Sequence, residues 1–72
     1  MSMTQTDYDA AIVITWDEPA TAFDLLTALE IFIAKGYPDA TIELPTRSFM
    51  GDVFGVELEK GTRTIYLGLT YA

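Results

Sequence analysis

The sequence predicts an α+β domain: about four strands in a single layer, in the chain order β-α-β-β-β, with one helix packed across one face of the sheet. Three observations predict it. The run AAIVITW, residues 10–16, is dense in β-branched and aromatic residues. The segment between Pro19 and Gly36 repeats apolar side chains at helical spacing, and the stretch around Lys60-Gly61 alternates as a hairpin does. At 72 residues the chain accommodates one domain, 1–72, with one thin core.

Residues 1–8 are polar and acidic and read as a frayed tail. The first predicted strand follows. It places Ala10, Ile12, Ile14 and Trp16 on one face and Ala11, Val13 and Thr15 on the other, so both faces are largely apolar and call for cover. The helix is then predicted to run to Lys35. Asp17, Glu18 and Pro19 suit a helix start, and Thr21 with Asp24 three residues on resembles a capping box. Gly36 supplies the left-handed residue that closes a helix, and Pro38 stops any continuation.

Within this helix, Ala22, Leu25, Leu26, Leu29, Phe32 and Ile33 form the expected core stripe. Phe23 and Ile31 lie outside it, joined by Ala28 and Ala34. A helix apolar around most of its circumference needs cover on two sides, and one sheet covers only one. Phe23, Ile31 and Ala34 are therefore the expected self-association residues, with a second copy of the chain or a foreign protein as occupant.

A short strand is predicted from Ala40 to Leu44, with Ile42 and Leu44 inward, Glu43 outward and Pro45 as its stop. It runs parallel to the first strand if both share the sheet, because a helix joins them. The segment TRSFMG, residues 46–51, fits no period-2 scheme and reads as a loop or irregular edge. Arg47, Phe49, Met50 and Asp52 have the composition of an interface anchor, since aromatic, Met and Arg side chains are enriched there; the alternative is a loop that folds its two apolar side chains under the sheet edge. The final hairpin, with Lys60-Gly61 as a two-residue turn, pairs Leu58 with Arg63, Val56 with Ile65 and Phe54 with Leu67 on one face. On the other it pairs Glu57 with Thr64, Gly55 with Tyr66 and Val53 with Gly68.

Composition narrows function. The chain has no cysteine and no histidine, so disulfides, thiolate or imidazole zinc sites and the common nucleophilic triads are not available to it. No glycine-rich loop with a lysine at phosphate-binding spacing occurs, Glu59-Lys60-Gly61-Thr62 being spent on a turn. The close carboxylate pairs, Asp7 with Asp9, Asp17 with Glu18 and Glu57 with Glu59, have structural explanations in a tail, a helix start and an open sheet face. The expectation is a protein that is not an enzyme and uses no cofactor or metal.

Eleven acidic residues against four basic ones give a net charge of −7, which disfavours direct nucleic-acid binding. It suits either a basic protein partner, including one that itself handles nucleic acid, or simple solubility. No apolar run approaches the roughly 18 residues that span a bilayer, and a cysteine-free chain fits the cytoplasm.

The phrase Leu25-Leu26-Thr27-Ala28-Leu29 followed by Tyr37-Pro38-Asp39-Ala40-Thr41-Ile42 resembles the helix, Pro-Asp-Ala, strand phrase of small acidic bacteriophage accessory proteins, over less than a third of the chain. That resemblance implies an inhibitor that occupies a host protein by occlusion or by mimicry of nucleic acid, and carries over no site residue. The reading of a different class is a self-assembling structural subunit, a homodimer or larger, with no foreign partner.

Overall fold

The computed structural model describes residues 2–43 and 51–71, with the side chains of 2–43 and 51–68. Its elements are β1 (Met3–Asp7), β2 (Ala11–Trp16), α1 (Ala22–Ala34), β3 (Thr41–Glu43), β4 (Gly51–Glu59) and β5 (Thr64–Tyr71). The fold is α+β, one helix on a five-stranded mixed sheet of order β1-β2-β4-β5-β3.

The segment expected as a frayed tail is the fifth strand. β1 pairs antiparallel with β2 from Met3 opposite Trp16 to Asp7 opposite Ile12. An edge strand held by its backbone ladder needs no apolar alternation, so MTQTD pairs without looking like a strand. Two further ties hold it: the Ser2 amide donates to the Asp17 carboxylate at 2.8 Å, and Lys35 Nζ lies 3.0 Å from Asp7 Oδ2.

β2 pairs antiparallel with β4, β4 with β5, and β5 runs parallel to β3. β2 and β3 therefore point the same way, as a helical connection requires, but with β4 and β5 between them. Ile12, Ile14 and Trp16 from β2, Val56 and Leu58 from β4, and Ile65 from β5 form the sheet side of the core, and Ala28 and Phe32 form the helix side.

The capping box and the closing glycine are built as the sequence implies, but Asp17, Glu18 and Pro19, expected at the helix start, precede it, because the helix begins only at Ala22 behind the Thr21 cap. Thr21 is the N-cap: its hydroxyl accepts from the Asp24 amide at 3.2 Å while Asp24 Oδ2 accepts from the Thr21 amide at 2.8 Å, a closed capping box. At the other end Gly36 takes φ 104°, a value only glycine adopts without strain.

The helix is rotated from its expected setting. Leu25, Leu29 and Ile31 pack against the core around Ala28 and Phe32, whereas Leu26 and Ile33, both assigned to the core stripe, stand in solvent. Ala28 is fully buried and sits at the middle of the contact, where its small side chain lets the helix approach the sheet.

The hairpin also differs. Its loop is four residues long, Lys60 to Arg63, with Arg63 at φ 52°, so that Glu59 faces Thr64, Leu58 faces Ile65 and Val56 faces Leu67. The register is displaced by two residues from the predicted one. Because the strand period is two, residues 55–59 and 64–68 keep their predicted faces while changing partners, whereas Arg63, expected opposite Leu58, lies in the loop. Tyr66 now lies opposite Glu57, and Gly55 opposite Gly68. A bulge between Val53 and Gly55 leaves Phe54 outside the ladder, and the Val53 carbonyl accepts from the Ala20 amide at 2.7 Å, fastening the β2–α1 connection. Of the strand expected over residues 40–44 the described part is Thr41–Glu43, Leu44 and its stop Pro45 lying outside the described residues; Ile42, expected inward, is half exposed because β3 is an edge.

Candidate binding surfaces

Two surfaces stand out, one on each side of the sheet. The first is the outer face of α1. Phe23 is 74% exposed, and one and three turns further along Leu26 and Ile33 are 51% and 53% exposed. These positions lie on one side of the cylinder. Beyond Ile33 the surface continues into a groove of about 140 Å³ between the C-terminal half of α1 and β3, lined among others by Leu29, Tyr37, Pro38 and Ile42.

The expected self-association residues divide. Phe23 and Ala34 are exposed on this outer face, but Ile31 is half-buried against the core. It turns toward the sheet because it shares the rotation of Ala28 and Phe32. Leu26 and Ile33 replace it on the outer face. Periodicity alone could not find them, since a helix apolar nearly all round offers several equivalent stripes.

Of the expected partner-binding residues, Arg47, Phe49 and Met50 lie outside the described residues. Asp52 is exposed on β4, opposite Thr70.

The second surface is the sheet face that α1 leaves open. Val13 and Thr15 of β2, Gly55 and Glu57 of β4, and Tyr66 and Gly68 of β5 line an open hollow of about 230 Å³. Its floor is the Gly55–Gly68 pair, where two strands meet with no side chain standing between them. A methyl group added at Gly68 would lie 3.1 Å from the Gly55 carbonyl oxygen, and one added at Gly55 would lie 3.1 Å from the Ile14 carbonyl oxygen.

The charges of the open face are all of one sign among the described residues. Strand alternation puts Glu43, Asp52, Glu57 and Glu59 there. The three described cations are engaged elsewhere. Lys35 pairs with Asp7, Lys60 Nζ donates to the Tyr8 carbonyl at 2.7 Å, and Arg63 holds the Asp39 carboxylate and the Gly36 carbonyl. Arg63 also lies over the Tyr37 ring, 4.6 Å from its centre.

These ties lower three carboxyl pKa values below the ordinary range. For Asp7 the main cause is the hydrogen bond from Gln5, followed by that from Lys35; for Asp17 it is the Ser2 amide; for Asp39 it is Arg63. All three are solvent-exposed anchors of the fold and none faces the hollow.

Among the described residues no three metal-ligating side chains converge, and no helix is long and apolar enough to cross a membrane. Comparisons with protein-family models, curated proteins and solved structures give no match.

Proposed function

We propose that this chain is a non-enzymatic protein-binding module that acts in the cytoplasm and pairs with a second copy of itself through the outer face of α1. The observation that carries this reading is the exposure of Phe23, Leu26 and Ile33 along one side of the helix, continued by Ile42. Covering the exposed three-quarters of Phe23 is alone worth roughly 3 kcal/mol, taking about 150 Å² for the ring and about 25 cal/mol per Å². A chain this small, with eight buried apolar residues among those described and no cysteine, gains stability from such a contact that it has few other ways to obtain.

The acidic surface supports a basic protein as the foreign partner, occupied as nucleic acid would occupy it. The likeness to acidic phage inhibitors agrees with that part of the reading.

Light scattering over a concentration series tests the pairing. The wild-type chain is expected to approach twice its monomer mass as concentration rises, and Phe23→Asp to stay monomeric while keeping its circular dichroism. A wild type that remains monomeric throughout would refute pairing through α1.

A further inference from the structure

We propose that the hollow on the open sheet face is a seat for an arginine side chain presented by a basic protein segment. The inference rests on the reading of the chain as a binding module, but not on pairing through α1, which lies on the opposite side of the sheet.

Size sets the first limit. At about 230 Å³ the hollow falls below the roughly 300–1,000 Å³ of small-molecule pockets and suits a side chain rather than a whole ligand. Its glycine floor carries no side chain, and its walls are a Tyr66 ring on one strand and Val13 and Thr15 two strands away.

Charge sets the second. In the register of the sheet Tyr66 is flanked by Glu43 on β3 and Glu57 on β4. With neighbouring strands about 4.8 Å apart, the two carboxylate-bearing positions stand about 10 Å from each other with the ring between them. Neither carboxylate has an opposite charge as its cross-strand neighbour, a pairing that would contribute to the sheet. None of the three described cations is there, each being bound elsewhere in the chain.

Chemistry sets the third, and the chain itself supplies the precedent. Arg63 is held over Tyr37 with the Asp39 carboxylate beside it. Tyr66 with Glu57 and Glu43 repeats those components, an aromatic face and adjoining carboxylates, with the guanidinium to come from outside. A planar cation that stacks on the ring and donates sideways to carboxylates fits better than a lysine ammonium, which is a compact, strongly hydrated point charge.

The test is a titration of the isotope-labelled full chain, wild type and Phe23→Asp, with a blocked tri-arginine peptide, followed by backbone amide shifts. Saturable shifts are expected at Gly55, Glu57, Tyr66 and Gly68, weaker binding by tri-lysine, and loss of binding when salt rises from about 0.05 to about 0.5 M. Tyr66→Ala and the more conservative Glu57→Gln should each weaken binding roughly two- to fivefold, while Glu18→Gln, outside the sheet in the β2–α1 connection, leaves it unchanged.

Shifts spread evenly over all carboxylates, or equal losses from Glu57→Gln and Glu18→Gln, would overturn the proposal. Localised shifts in a chain that fails to pair would refute the α1 interface alone. Pairing with delocalised shifts would refute the arginine seat alone.

Discussion

Replacing Phe32 and Phe23 separately by alanine tests which face of α1 meets the sheet. The two residues are chemically identical and sit on the same helix, yet Phe32 is completely buried and Phe23 is 74% exposed. A buried aromatic ring removes about 150–250 Å² from water, worth about 4–6 kcal/mol at about 25 cal/mol per Å². Truncation of a core phenylalanine costs about 3–5 kcal/mol, some of the area being kept by the alanine. A chain of 72 residues has about 4–11 kcal/mol of stability in all, at about 0.05–0.15 kcal/mol per residue. Phe32→Ala therefore removes about a quarter of the stability at the least, and the melting temperature should fall by at least about 12 °C.

Phe23→Ala should change the stability of the monomer by no more than about 0.5 kcal/mol. Urea unfolding is the assay, read from the fluorescence of Trp16, which is buried in the same core, at concentrations too low for self-association. Equal losses in the two variants, or a larger loss from Phe23→Ala, would mean that a different face of the helix lies on the sheet, and the outer-face interface would fall with it.

Three further outcomes follow from particular contacts. Gly36→Ala should destabilise by about 1 kcal/mol through backbone strain alone, because φ is 104° and no atom lies within 4 Å of the added methyl; Gly61→Ala, equally uncrowded and without a positive φ, is the control in thermal melts. Asp7, Asp17 and Asp39 all have folded pKa values below the ordinary 3.8. Their contribution is thus fully present above the unfolded value and is lost as pH falls through the depressed folded ones, so urea midpoints should decline on acidification below about pH 4, less steeply in Asp39→Asn. Ile31→Asp should unfold the chain rather than dissociate a dimer, since Ile31 packs on the core, and a folded monomeric Ile31→Asp would contradict the helix setting.

What the sequence made legible was local chemistry. The capping box of Thr21 and Asp24 and the closing Gly36 follow from residues within one turn of each other, and both are present. The face of each hairpin side chain was legible too, because it depends only on parity. The register was not. It turns on Arg63 taking a positive φ, an unexpected choice for a non-glycine residue, and that conformation is held by Asp39, Gly36 and Tyr37 from another part of the chain.

Non-local causes account for the other differences. β1 depends on a ladder to β2 that its polar residues do not advertise. The helix setting depends on Ala28 fitting against the sheet, which no stripe of large apolar residues foretells. For the candidate surfaces, Phe23 was legible as a residue outside the main stripe, while the hollow was hidden by the register: with Tyr66 opposite Gly55 the gap would be filled, and only the observed Gly55–Gly68 pairing opens it.

The placement of the two surfaces on opposite sides of one sheet has a consequence for affinity. A pair formed through α1 leaves both hollows facing outward, so one dimer would present two arginine seats to a partner with repeated basic segments. A single exposed seat binds weakly, since an exposed cation–aromatic contact contributes only about 0.5–1 kcal/mol. Two seats on a rigid dimer raise the apparent affinity by roughly 10²–10⁴ when the partner spans both. Phe23→Asp should then leave binding of a single tri-arginine peptide unchanged while sharply weakening capture of a peptide carrying two such segments on a long flexible linker, measured by calorimetry. Equal affinity of wild type and Phe23→Asp for the two-segment peptide would show that pairing and acidic capture are separate properties rather than parts of one binding device.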